Sequence, residues 1–325
     1  MNAKEKLLQL DEISANALLQ MAEVGYRLSK PPSTQTSGRR AYRTLMDMTG
    51  CADAKQKIKE VLAASRMQKI LKAKGRQTKA AHYHMAFFGP PGSAKTTTAR
   101  LYSEILFDEG LIKNKNLIEL SKASLVGRYQ GETPQLIKQT FEKKQGSCIL
   151  IDEAYSLFDT DTGHSNTFGS EAVDQIILEL EEATDTVVIF AGYTDRMQAF
   201  LDSNPGLRSR IPIEVSFPDY STTELADICK KIACENGYTI NEEAEGKLFH
   251  ILDTARTQDN FGNGRYCRNL VEKAIAEKSI RLGIMNDNFD FAKFIEMISE
   301  KDLFTLDEEC FPEPVYREKT QRIGF

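Results

Sequence analysis

The stretch Gly89-Pro90-Pro91-Gly92-Ser93-Ala94-Lys95-Thr96 constrains this chain more than any other. It follows an apolar run, Tyr83 to Phe88, with the length and character of a buried strand. It precedes Thr97 to Asp108, where Ala99, Tyr102, Ile105 and Leu106 recur at helical spacing. Strand, small-residue turn and helix start, in that order, aim several backbone N–H groups at one point, which suits a bound triphosphate. In such a loop Lys95 reaches the β- and γ-phosphates, the Thr96 hydroxyl ligates Mg²⁺, and Thr97 completes the first turn. Ala94 stands where the usual pattern has its second glycine. Its methyl group is tolerated there if the local φ is negative.

A second motif answers the first. Ser147-Cys148-Ile149-Leu150-Ile151 is a continuous apolar run, as expected of a parallel strand buried on both faces, and it ends in Asp152-Glu153. Carboxylates at the C-terminal end of such a strand fall where α/β folds bind ligands. Asp152 is placed to complete a Mg²⁺ shell, and Glu153 to orient or deprotonate a water attacking the γ-phosphate. Either motif alone reads as a turn or a capped strand end. Both together, each after a strand, predict nucleotide binding.

With 325 residues the chain has room for two domains and a sizeable core. Lys plus Arg total 42 and Asp plus Glu 47, for a net charge of -5. That balance carries no electrostatic footprint for nucleic acid. No apolar run approaches the ~20 residues of a membrane span, and no signal-peptide core opens the chain. Six scattered cysteines without CxxC spacing fit a reducing, cytoplasmic setting. Cys229 and Cys234 read as packing residues. The histidines 82, 84, 164 and 250 also lack metal-pair spacing.

Residues 1–40 read as an N-terminal helix followed by a flexible linker from Pro31 to Gly38. Residues 41–218 alternate helices with short apolar strands, expected at Tyr83–Phe88, Asn116–Leu120, Cys148–Ile151, Thr186–Ala191 and Ile211–Phe217. This is the pattern of a parallel α/β sheet. Residues 219–300 turn helical throughout, opening on the capping box Ser221-Thr222-Thr223-Glu224, so an all-helical small domain is expected. Residues 301–325 read as a polar tail. The acidic cluster Glu179, Glu181, Glu182 and Asp185 reads as a solvated helix face and end. Asp159-Thr160-Asp161-Thr162-Gly163 reads as a flexible insertion.

Four further segments, Leu125-Val126-Gly127-Arg128-Tyr129-Gln130-Gly131-Glu132-Thr133, Ile151 to Leu157, Ala191-Gly192-Tyr193-Thr194-Asp195-Arg196-Met197 and Ser203 to Ile211, resemble the CbxX/CfxQ family of AAA+ ATPases. That family includes red-type Rubisco activases and stage V sporulation protein K-like proteins. The resemblance runs from about Thr49 to Leu282. It implies an α/β fold, a P-loop parallel-sheet large domain followed by a small helical lid, with ATP and Mg²⁺ as ligands. It also implies a homo-oligomeric ring, a hexamer, acting on a protein client.

By the same resemblance Tyr129, Gln130 and Gly131 form a pore loop that grips an extended polypeptide, and Gln130 departs from the usual apolar residue. Arg208 or Arg210 reaches the neighbour's nucleotide as a trans arginine. Thr194 and Asp195 sense the γ-phosphate, with Asp195 replacing the commoner Asn. Arg265, at the start of Gly262-Asn263-Gly264-Arg265, reaches the phosphates from the lid, with Arg268 as its fallback. Met48-Thr49-Gly50 contacts adenine. Two alternatives to a remodelling ATPase stay open, a nucleotide-gated scaffold with little hydrolysis and a nucleic-acid motor or loader. The client is not readable from the residues.

Overall fold

A computed structural model describes residues 37–77, 82–127, 131–157, 167–183, 185–258, 261–284, 294 and 298–314. The N-terminal helix, the insertion Asp159–Gly163, and Tyr129 and Gln130 lie outside them. Five strands form the sheet: β1 (Met85–Phe88), β2 (Ile118–Leu120), β3 (Cys148–Ile151), β4 (Val187–Gly192) and β5 (Ile213–Ser216). All pairs are parallel, in the order β2-β3-β4-β1-β5. The register sets Phe88 against Gly192 on one side and Ser216 on the other. The carboxyl ends of the three strands are therefore level.

Strand period decides which side chains meet which helices. Met85, Phe87, Leu150, Ile189 and Val215 point to one face. There they pack under α1 (Ser37–Asp47), α2 (Ala52–Ala73) and α3 (Lys95–Asp108). Ala86, Phe88, Ile149, Ile151, Val188 and Phe190 point to the other. They are covered by α4 (Glu132–Lys143), α5 (Thr167–Glu182), α6 (Thr194–Asp202) and α7 (Pro205–Arg210). Burial on both faces is why β1, β3 and β4 read as unbroken apolar runs.

The lid holds α8 (Thr222–Glu235), α9 (Glu242–Ala255) and α10 (Gly264–Arg281). Ser221 caps α8 in the predicted capping box, its hydroxyl accepting from Glu224 N–H. Against expectation the lid is not purely helical. The two-residue strands β6 (Thr239–Ile240) and β7 (Thr305–Leu306) pair in parallel, β7 directly following the short helix α11 (Glu300–Phe304). Nor is the stretch from residue 301 simply a tail, since Leu306, Cys310 and Phe311 sit in the lid core. Lys278 and Arg281 anchor it by pairing with Asp307. A short apolar patch inside a polar stretch hides from composition but fills a core. Similarly, Ser37 and Gly38, expected in the linker, begin α1. Of the two lid cysteines expected to pack, Cys229 is buried and Cys234 is exposed.

Candidate functional site

Three strand ends, a helix start and the lid surround one cleft of about 640 Å³. The loop after β1 forms its floor. Gly89 N–H donates to Gly192 O at 3.1 Å. A Cβ on Gly89 would lie 2.2 Å from Phe217 O, so only glycine lets the loop pass this close to the end of β5. Ser93 Oγ, buried, donates back to Pro90 O at 2.8 Å and braces the turn. The chain then takes two left-handed residues, Gly92 at φ 72° and Ala94 at φ 68°.

Ala94 thus departs from the negative φ that would spare its methyl group. The sharp entry into α3 demands a left-handed residue, and alanine occupies it under strain. Beyond it, the first N–H groups of the 14-residue helix α3 have no intrahelical partners and carry the positive end of its dipole.

Gly89, Pro91, Gly92, Ala94, Lys95, Thr96 and Thr97 line the cleft, with Asp152 and Glu153 across from them. Pro90 and Ser93 stand behind this wall as the brace. Lys95 Nζ donates to the carbonyls of Gly89 and Pro90, each at 2.7 Å. Burial pulls its pKa down, and nearby Arg265 adds to that while Asp152 opposes it. A half-buried ammonium held by carbonyls alone is ready to exchange them for anionic oxygens.

Asp152 and Glu153 are exposed at the end of β3. Asp152 Oδ1 accepts from Glu153 N–H at 3.0 Å, and Glu153 turns left-handed at φ 50° to leave the sheet. Gly192, the last residue of β4, and Tyr193 after it complete this wall. Thr194 and Asp195 do not join them: they lie exposed in the first turn of α6, outside the cleft lining.

The lid supplies the roof. Arg265 and Arg268, three apart on α10, both face the cleft. At its other end Met48 and Thr49 meet Tyr220, Ile228, Lys231, Ile232 and Glu235, while Gly50 falls just off the lining. Lys231 Nζ donates to Asp47 O at 2.7 Å and Thr49 Oγ1 at 2.9 Å, tying α8 to the large domain. Sequence reasoning passed over Lys231 and Glu235. Their signal was present, since 228, 231, 232 and 235 share one helical face. Its members Ile228 and Ile232 are apolar, so from sequence alone the face reads as a packing surface.

Arg208 and Arg210 stand outside the cleft. Arg208 bridges Asp202 and Glu214, each at 2.7 Å, and donates to Gln198 at 2.9 Å. Arg210 pairs with Glu181. The acidic cluster is therefore more than a solvated face, because Glu181 holds Arg210 and Asp185 pairs with Lys113. Gly131 caps the start of α4 at φ 81°.

Comparison with known proteins agrees with this geometry. Residues 85–219 match the ATPase family associated with various cellular activities (AAA), and residues 221–321 match the AAA lid domain. The chain is 38% identical to stage V sporulation protein K of Bacillus subtilis, covering 74% of this chain and 75% of that protein. It is 36% identical to protein CfxQ of Xanthobacter flavus (72% and 74% covered). It is 34% identical to the chloroplastic ribulose bisphosphate carboxylase/oxygenase activase of Cyanidioschyzon merolae (81% and 87%). The crystal structure of the FIGL-1 AAA domain shares the fold, with a TM-score of 0.53 at 21% identity over 82% of this chain and 80% of that one. With a phosphate loop, a strand-end Asp-Glu pair and a lid around one cleft, and with these relatives, the chain belongs to the AAA+ ATPases, in the group of stage V sporulation protein K and the CfxQ proteins.

Proposed function

We propose that the cleft binds ATP with Mg²⁺, and that copies of the chain assemble into a hexameric ring whose ATP cycle remodels a protein client. The observation that carries this reading is the meeting of Gly89–Thr97, Asp152-Glu153 and Arg265 around one cleft. Lys95 would trade its two carbonyl partners for β- and γ-phosphate oxygens. Thr96 and Asp152 would hold the metal. Among the described residues no three His, Cys, Asp or Glu cluster as a dedicated cage. Two protein ligands suit Mg²⁺, which keeps waters and substrate phosphates in its shell. The ion's chemistry is to offset charge building up on the transferring phosphoryl group.

Glu153 would take a proton from the water that attacks the γ-phosphorus, as ADP leaves with the bridging oxygen. Thr194 and Asp195, which follow Tyr193 directly in the chain, would sense the γ-phosphate only after α6 shifts toward the cleft. Arg208 or Arg210 would act on the nucleotide of the neighbouring copy, which accords with their place outside their own cleft. Tyr129, Gln130 and Gly131 would grip the client in the central pore. The activase relative, named for an enzyme it acts on, supports a protein client. The net charge of -5 disfavours nucleic acid. No helix among the described residues is long and apolar enough to cross a membrane.

The test is phosphate release from ATP as a function of protein concentration, with Glu153→Gln and Arg208→Ala alongside. Specific activity rising steeply with concentration, absent in Glu153→Gln although ATP still binds, is the expected result. A concentration-independent rate would remove the trans arginines from the mechanism. Nucleotide binding without turnover at any concentration would replace the motor with a nucleotide-gated scaffold.

A further inference from the structure

Gly262-Asn263-Gly264-Arg265 makes a tight turn into α10, closed by Arg265 N–H donating to Gly262 O at 2.9 Å. Asn263 lies at φ 47°, ψ −122°. Those are the angles of the first central residue of a type II′ turn, a place glycine ordinarily takes. Glycines stand on both sides, so a residue with a Cβ occupies the one position of the turn that most favours having none.

What holds Asn263 there is its amide. The residue is fully buried. Its Nδ2 donates to Asp219 Oδ1 at 2.7 Å and to Pro91 O at 3.4 Å, and its Oδ1 accepts from Tyr220 N–H at 3.2 Å. The next N–H, of Gly264, donates to Gly92 O at 3.0 Å. A Cβ on Gly92 would sit 2.0 Å from Gly262 O, so the two backbones lie in direct contact. One turn therefore holds two successive carbonyls of the phosphate loop. The same side chain holds Asp219 and Tyr220, which join the large domain to the lid. Only a primary amide can donate to a carboxylate and a carbonyl while accepting an N–H. Strain kept in place by such surroundings is a mark of a working part.

We propose that Asn263 is a positioning residue for ATP hydrolysis: it joins the phosphate loop to the interdomain hinge, so that loop geometry and lid angle change together. It acts through backbone carbonyls, apart from the Arg265 side chain that faces the cleft. When the lid swings, Asp219-Tyr220 and the Pro91-Gly92 segment move with it, and a phosphate-filled loop holds the lid down. The inference rests on the nucleotide reading of the cleft.

The experiment is stopped-flow release of a fluorescent ADP analogue, with kcat and the thermal midpoint measured beside it. Asn263→Gly relaxes the turn and removes the amide. Relieved strain and three lost hydrogen bonds act in opposite directions on its thermal midpoint. The readout is therefore release, expected about tenfold faster with kcat lowered whichever way the midpoint moves, the scale of a coupling change near 1.4 kcal/mol. Asn263→Asp loses both donors and sets a carboxylate against Asp219. Adding Asp219→Asn lets residue 219 donate to residue 263 instead, and should slow release back toward wild type. Wild-type release and kcat in Asn263→Gly overturn the proposal. So does a lowered midpoint with unchanged release, which marks a turn that only supports the fold. A wild-type protein that fails to bind the analogue refutes the nucleotide reading itself, a result separate from any difference among the variants.

Discussion

Acidification should unload a specific part of the large domain's stability through His84. This residue precedes β1, is 1% exposed, and its Nδ1 accepts from Val188 N–H at 3.0 Å. Burial, helped by the His82 ring stacked on it at 5.6 Å, pushes its pKa down to about 4. An unfolded chain titrates near 6.5, so between the two values the unfolded state binds the proton and the folded state does not. The contribution is therefore complete above 6.5 and lost as pH falls. Linkage puts the loss at roughly 2 kcal/mol by pH 5 and about 3 kcal/mol by pH 4. The chain has no tryptophan, so urea unfolding is best followed by circular dichroism, with His84→Asn beside wild type. In that variant the side-chain amide oxygen stands in for Nδ1 as the acceptor for Val188 but does not titrate. Wild type should lose roughly 2 kcal/mol more than the variant between about pH 7.5 and pH 5.

Asp307 does not confuse the comparison. Burial raises its pKa, but hydrogen bonds from Arg281 and Cys310 and the nearby cations outweigh that and bring it to about 2. Its depressed pKa means a contribution present above its ordinary 3.8 and lost as pH falls through about 2, below the His84 window. Parallel stability curves for wild type and His84→Asn from pH 7.5 to 5 would refute the reasoning.

Three other perturbations have sizes set by the fold. Gly92→Ala meets a left-handed φ that costs roughly 1–2 kcal/mol and a methyl 2.0 Å from Gly262 O, so both the thermal midpoint and nucleotide affinity should fall. Phe190→Ala, at a fully buried position of β4 packed against Phe200, should cost about 3–5 kcal/mol in urea unfolding. Ser221→Ala dismantles the capping box of α8 and should cost about 1 kcal/mol, read in the thermal unfolding of the lid.

Much of the large domain was legible because its local chemistry repeats along the chain. The apolar runs of β1, β3 and β4 reflect burial on both faces, and the loop Gly89–Thr96 reflects what a helix start asks of its backbone. Strand order was not legible. That β1 lies between β4 and β5 depends on which distant faces pair, and any of these apolar runs would pair with any other. The cross-domain contacts were hidden for a similar reason. Lys231 reads as a surface lysine of an amphipathic helix until Asp47 and Thr49 are seen opposite it. Leu306 and Phe311 read as part of a tail because the core they complete was formed by residues at least 30 positions earlier, such as Leu248 and Leu270.

The backbone carries a sharper lesson. Among the described residues, four without glycine's freedom sit at positive φ: Cys51, Ala94, Glu153 and Asn263. Ala94 enters the helix of the phosphate loop, Glu153 carries the carboxylate across the cleft, and Asn263 clamps that loop to the hinge. Cys51 follows Gly50 and places its Sγ 3.6 Å from the hydroxyl of Tyr220, which itself lines the cleft. Local rules would place glycine at each of these positions, and so each looks like an error in a reading from propensity. Ala94 and Glu153 line the cleft, while Cys51 and Asn263 stand directly behind it, bonded to Tyr220 and Pro91, which do. The places where sequence rules fail here therefore trace the outline of the site, as expected when strain is retained for function.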